Sequence, residues 1–392
     1  MGSVSFPSSS EPPKPWVETP LIYSAQLSNA AGCNIYLKLE NVQPSGSFKS
    51  RGIGNMMLRS TLQEPPTTNQ RKIHFFCSSA GNAGLACATT AHTLACPATI
   101  VVPTSAQEPV LRRLRGLGAT VVIHGSSWFE ADTHLREVVM PASALEDLQE
   151  ESSGGEGEGQ KTQKKKTKQV YVPPFDHEDI WSGAATLMDE VAEQMRVVHR
   201  AYVDAVVCNV GGGGLLNGIM EGVWGPSRNP GTGKEGGLGK EVGGGKEPRV
   251  LAIETVGADS FNQSVKAGEL VKMKQITSIA SSLGAVQVSK KTWEWSQMVG
   301  GENLVSATVT DAEAAMASVR FADEHRMLVE VSCGATLATA YNGDLRRYLG
   351  KGLSDEEWRN VNVVMVVCGG SHVSVDVLKA YREKYGPEIT WA

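Results

Sequence analysis

The chain has 392 residues, a mass of 41.8 kDa and 41% hydrophobic residues, enough for two domains with substantial cores. Lysine and arginine total 37 against 42 acidic residues, a formal charge of -5, which argues against a partner held through nucleic-acid phosphates or anionic lipid. No apolar run approaches the roughly 18–20 residues that a membrane helix needs.

The first 20 residues, Met1 to Pro20, are polar and proline-rich, and no basic region leads into an apolar one, so no signal peptide is expected. Gly2 does not make a myristoylation site, because Phe6 stands where that pattern needs Ser or Thr. Asn34–Leu39 (NIYLKL) reads as a strand, and Ile53–Arg59 as a helix opened by the segment Ser45–Gly52. Lys72–Cys77 runs into a helical stretch Ala83–Leu94. Ala98–Val102 precedes the amphipathic Glu108–Leu117, and Ala119–His124 precedes Trp128–Val139. After an interruption the rhythm resumes with Gln169–Val172 and a helix near Trp181–Val198. Val203–Val210 leads to a helix near Leu215–Val223, Arg249–Glu254 to another helix, and Val361–Cys368 closes the series. Continuous apolar strands joined by helices imply parallel sheets covered on both faces.

The expected fold is therefore α/β, with two doubly wound lobes. A small lobe spans 73–145, and a large lobe takes 1–72 and 146–392. Two Gly- and Lys-rich stretches, 152–168 and 226–248, lack large apolar residues and read as flexible surface insertions. The five-lysine cluster at 161–168 reads as a solvated loop, not a nucleic-acid patch. Seven scattered cysteines, with no C-x-x-C or H-E-x-x-H, support neither a disulfide framework nor a zinc site. The expectation is a soluble cytoplasmic protein.

Four short segments carry chemistry. In Ser45-Gly46-Ser47-Phe48-Lys49-Ser50-Arg51-Gly52, Ser47 reads as an N-cap and Lys49 as a first-turn residue. A cation is disfavoured there by the helix dipole, and a lysine with a depressed pKa is the nucleophile that Schiff-base chemistry needs. Ser78-Ser79-Ala80-Gly81-Asn82-Ala83-Gly84 sits between strand and helix, where small residues and exposed N–H groups suit a carboxylate; a plain turn capped by Ser79 is the simpler alternative. Gly211-Gly212-Gly213-Gly214-Leu215 has the composition of a phosphate cradle ahead of a helix. The literal G-x-G-x-x-G at Gly231–Gly236 has no strand before it and reads as chance. Cys368-Gly369-Gly370-Ser371 follows the last strand, at the edge where α/β folds bind ligands.

Taken in order, SGSFKSRG, SSAGNAG, VGGGGLL and VCGGS resemble the serine/threonine dehydratases of the fold type II pyridoxal-phosphate family, which have the tryptophan synthase β-like fold. The likeness extends to TPLIYS at 19–24, PPFDHEDIWSG at 173–183 and ETVGADSFNQSVKAGEL at 254–270. It implies pyridoxal 5'-phosphate held by Lys49, which also removes the substrate Cα proton. Phe48 lies against the ring, Asn82 bonds its hydroxyl and Cys368 faces its nitrogen. The phosphate falls to Gly211, Gly212, Gly213, Gly214 and Leu215. Ser79, catalytic with Lys49, binds the substrate carboxylate together with Ala80, Gly81 and Asn82. The resemblance further implies K⁺ bound by Glu254, Ala258, Leu283 and Ala285, a homodimer, and an amino-acid substrate, L-serine or L-threonine. Ala184 and Val331-Ser332-Cys333 depart from the family pattern, where His and Pro-Ala-Cys are expected. Two alternatives stay open: a β-replacement enzyme or serine racemase of the same fold, and a non-catalytic cofactor-binding module. Cys368 weighs against the first and Lys49 against the second.

Overall fold

The computed structural model describes residues 13–63, 73–145, 167–225 and 244–391. Most of both expected insertions, 152–166 and 226–243, lies outside the described residues, as does Gly231–Gly236.

Ten strands form two sheets: β1 (Leu21–Tyr23), β2 (Asn34–Leu39), β3 (Ile73–Ser78), β4 (Ala98–Val102), β5 (Thr120–Ile123), β6 (Lys168–Tyr171), β7 (Ala205–Asn209), β8 (Arg249–Thr255), β9 (Leu304–Val309) and β10 (Asn362–Val367). The larger sheet has the order β1-β2-β10-β7-β8-β9, and the smaller one β5-β4-β3-β6. All pairings are parallel except that of β1 with β2. β7 and β10 are central and buried on both faces, which is why they read as unbroken apolar runs. β9 is an edge strand whose Ser306 and Thr308 are only part-buried, so its sequence shows no such run. The smaller sheet reaches past the expected 73–145, because Val170 and Tyr171 of β6 pair with Phe75 and Phe76 of β3.

Lys49 opens the helix Lys49–Leu62, and its first turns are tied down by a buried ion network. Arg51, fully buried, directs Nε and Nη2 at the two oxygens of Glu40, at 2.7 and 2.8 Å. It also makes two 2.6 Å bonds to Glu190, which in turn accepts from Lys38 Nζ at 2.6 Å, and weaker bonds to the Thr186 and Thr19 hydroxyls at 3.1 and 3.3 Å. Glu40 follows β2 directly, and Glu190 lies on the helix Glu178–Gln194. Those two helices cross closely, since a Cβ on Gly52 would stand 2.7 Å from the Ile180 carbonyl. Arg51→Met should therefore leave the buried Glu40 carboxylate uncompensated and cost about 3–5 kcal/mol. Urea unfolding of the variant checks this; an unchanged midpoint would mean the network does not anchor the helix.

Candidate active site

Parallel strands put the ends of β2, β10 and β7 on one edge of the larger sheet, and the four motifs meet there. The lysine loop is zipped onto the last strand: Phe48 N–H donates to the Cys368 carbonyl at 3.1 Å, and Gly370 N–H to that of Gly46 at 3.0 Å. Segments from opposite ends of the chain thus place Lys49 beside Cys368. The N-cap position falls on Phe48, not on Ser47, and no side chain caps this helix. Ser47 Oγ is buried without a partner, because backbone bonding to Gly369 holds the loop in place of a cap.

The Lys49 side chain donates to the Pro174 carbonyl. Burial around the amine pushes its pKa down to about 8, against the pull of the Cys77, Glu330 and Cys368 side chains. No ion pair to Lys49 is present among the described residues. An amine so placed sheds its proton far more readily than a surface lysine, on the order of a few hundredfold at neutral pH.

The glycine loop leads into the helix Gly214–Trp224, within which Leu215 is buried. Gly213 has φ +97°, and a Cβ there would stand 1.8 Å from Thr292 Oγ1; a Cβ on Gly212 would stand 2.4 Å from the Phe175 ring. A buried polar group supports the loop from beneath. Asn217 bonds Ser289 and Thr292 at 3.0 and 2.9 Å, and Ser289 N–H donates to the Gly212 carbonyl at 3.0 Å. This cradle fits a phosphate, since it combines a helix N-terminus with a loop whose four glycines carry no side chains of their own.

Ser79 Oγ accepts the Gly81 N–H at 3.1 Å, and the helix Asn82–Thr93 begins with no side-chain cap. The expected capping by Ser79 therefore acts inside the turn. Ala80, Gly81 and Asn82 follow in the same loop, which faces the large sheet: Asn82 Oδ1 accepts from Ser371 N–H at 2.9 Å, and its Nδ2 donates to Glu330 Oε1 at 3.0 Å. Cys368 is buried and accepts from Asn209 Nδ2 at 3.2 Å. The neighbouring Cys333 thiol, with burial, raises its pKa well above the ordinary thiol value, so it stays protonated.

Glu254 is fully buried and accepts from the N–H groups of Phe261 and Asn262, at 3.0 and 2.6 Å. Burial pushes its pKa up to about 8 in spite of those two bonds. Ala258 N–H closes the same turn on the Thr255 carbonyl, at 2.8 Å. Leu283 lies against Gly211, 3.2 Å from where a Cβ would stand, and its carbonyl takes the Ala285 N–H at 2.7 Å. Among the described residues no group of three or more His, Cys, Asp or Glu stands ready for a metal ion, so a cation here would rely on carbonyl oxygens.

Two residues near the site gave no signal of their own in the sequence. Phe175 packs its ring on Gly212, and Glu330, 2% exposed, reaches Asn82 from the turn before the helix Val331–Tyr341. The PPFDHEDIWSG segment pointed towards Phe175; beside Glu330 only the departure at Val331-Ser332-Cys333 stood out, and it did not single out the carboxylate.

Residues 14–369 match the family described as pyridoxal-phosphate dependent enzyme. The chain is similar to human "Serine dehydratase-like", 39% identical, covering 94% of this chain and 95% of that protein. It is 33% identical to the "Catabolic L-serine/threonine dehydratase" of Saccharomyces cerevisiae, over 92% of this chain and 90% of that one. A fungal L-serine ammonia-lyase structure from Rhizomucor miehei superposes with a TM-score of 0.74 at 34% identity, covering 95% of this chain and 99% of that chain. The lowered pKa of Lys49 has a direct consequence. The rate at which the cofactor-free protein captures pyridoxal phosphate should rise with pH along a titration centred near 8. Stopped-flow absorbance checks it; a midpoint near the ordinary lysine value of 10.5 would contradict the geometry.

Proposed function

This chain belongs to the family of pyridoxal-phosphate dependent enzymes, and from that premise we propose that it is a lyase that converts L-serine to pyruvate and ammonia, the water lost in the elimination being returned on hydrolysis. The observation that carries this reading is the half-buried Lys49 amine, which donates to the Pro174 carbonyl and feels the neighbouring Cys368 thiol. L-threonine is the second substrate, giving 2-oxobutanoate by the same steps; the yeast relative's name includes both amino acids.

When bound, the cofactor supplies the electron sink that makes the substrate Cα–H acidic and lets the β-hydroxyl depart. The residues of the chain do the rest. Lys49 Nζ holds the cofactor and then takes the Cα proton, a task suited to an amine with pKa near the working pH. Ser79, whose Oγ already accepts from Gly81, keeps its own proton for the substrate carboxylate. The N–H groups of Ala80 and Asn82 add to that anion site. Gly211, Gly212, Gly213, Gly214 and Leu215 bind the phosphate at a helix N-terminus, and the Phe48 ring lies against the cofactor. The Cys368 thiol is a weak donor that leaves the ring nitrogen without a compelled proton, which favours departure of the hydroxyl over reprotonation at Cα. The balance closes: serine loses water to a released enamine, and water then converts this to pyruvate and ammonia.

K⁺ completes the proposal, with Glu254 and the carbonyls of Ala258, Leu283 and Ala285 as its ligands; the buried Glu254 carboxyl, raised to about 8, would gain from a cation beside it. A homodimer and a cytoplasmic location also belong to this reading, the latter supported by seven unpaired cysteines. Among the described residues no helix is long and apolar enough to cross a membrane. The test is oxo-acid release from L-serine and L-threonine by the protein with pyridoxal phosphate and K⁺. Pyruvate from serine at the higher kcat/KM is expected, with Lys49→Ala losing both turnover and the visible absorbance. Turnover at the original rate in that variant would overturn the mechanism.

A further inference from the structure

The Asn82 side chain is bonded on both sides, and the chemistry of its partners leaves it one orientation. Ser371 N–H is only a donor and so requires the amide oxygen, at 2.9 Å. A Glu330 carboxylate is only an acceptor and requires the amide nitrogen, at 3.0 Å. Turning the amide over would set two donors and two acceptors face to face. One N–H of Asn82 then remains for a ligand. Glu330 is itself firmly placed: it is 2% exposed, its second oxygen lies 3.4 Å from His372 N–H, and its carbonyl accepts from Ser318 Oγ at 3.2 Å. Gly370 makes this approach possible. At φ +125° a side chain is disfavoured there, and a Cβ would stand 2.0 Å from the Glu330 carboxyl carbon. The three partners also join the two sheets, since Asn82 follows β3 while Glu330 and Ser371 belong to the larger sheet's side.

We propose that Glu330 is a positioning residue for the cofactor ring: it holds the Asn82 amide so that its remaining N–H serves the ring oxygen, and it sets a fixed negative charge beside that oxygen and Lys49. This rests on the reading of Asn82 as a cofactor ligand. The packing also ties Glu330 to the lysine loop, because Gly370, which lies against the Glu330 carboxyl, donates its N–H to the Gly46 carbonyl; the same carboxylate opposes the lowering of the Lys49 pKa.

The test compares the holoprotein with Glu330→Ala, Glu330→Gln and Asn82→Ala, alone and combined with Glu330→Ala. The readouts are the dissociation constant for pyridoxal phosphate and the pH titration of the visible absorbance, both independent of turnover. Glu330→Ala should weaken cofactor retention about tenfold, as expected for a buried amide left without its acceptor. Its absorbance titration should move to lower pH, the Cys77 and Cys368 thiols beside Lys49 being unchanged. Glu330→Gln keeps an acceptor for Asn82 but no charge. It should hold the cofactor within about twofold of the original protein while showing the same displaced titration. In the Asn82→Ala background, Glu330→Ala should add little further loss of retention, the signature of two residues acting through one contact. Wild-type retention and titration in Glu330→Ala would overturn the proposal, as would fully additive losses in the double variant. An unmodified protein with no visible absorbance would instead overturn the cofactor reading on which the proposal stands.

Discussion

The central constraint is a half-buried amine with no carboxylate in ion-pair contact with it among the described residues. Lys49 stands in the first turn of a helix, where the backbone dipole already opposes a positive charge, and crowding takes away the water that would stabilise it. Left to itself such a group would fold outward. It stays because neighbouring structure leaves the loop no freedom: Phe48 is bonded to the Cys368 carbonyl, and Arg51, two residues beyond the lysine, is fixed by the buried Glu40 and the part-buried Glu190 carboxylates. A charged network two residues away thus restrains a lysine that itself has no such partner.

The remaining parts of the site follow from the same arrangement. Parallel sheets deliver the ends of their strands to one edge, so loops that are remote in sequence converge without any long excursion. The glycine loop approaches Phe175 and Thr292 too closely for side chains, and the Asn217, Ser289 and Thr292 group satisfies the buried polar atoms below it. From the smaller sheet, Asn82 crosses to Ser371 and Glu330. The amine, the glycine loop and the Ser79–Asn82 turn thereby become one site, although the two sheets have separate cores.

Much of this was legible in the chain because the central strands are buried on both faces. Lys72–Cys77, Val203–Val210 and Val361–Cys368 are visible as apolar runs and agree with β3, β7 and β10 to within two residues at either end. The edge strands β1 and β9 were not legible: three residues make no pattern, and Ser306 and Thr308 break the other. Ser47 failed as a cap because a contact from Gly369, far along the chain, replaced the local bond that capping rules assume. The chemistry-bearing loops stood out as small-residue motifs, whereas Glu330 is a single carboxylate in MLVEVSCG whose significance comes from folding alone. β6 was placed with the wrong lobe for a related reason, since its pairing with β3 is invisible in either strand by itself.

The most direct test of the account is to fix the cofactor where it sits. The holoprotein is treated with borohydride, digested, and the reduced pyridoxyl adduct located by mass spectrometry. The account predicts the adduct on the peptide containing Ser47-Phe48-Lys49, at Lys49 and in near-stoichiometric amount. An adduct on another lysine, with Lys49 unmodified, would contradict the claim that this half-buried amine is the centre of the site.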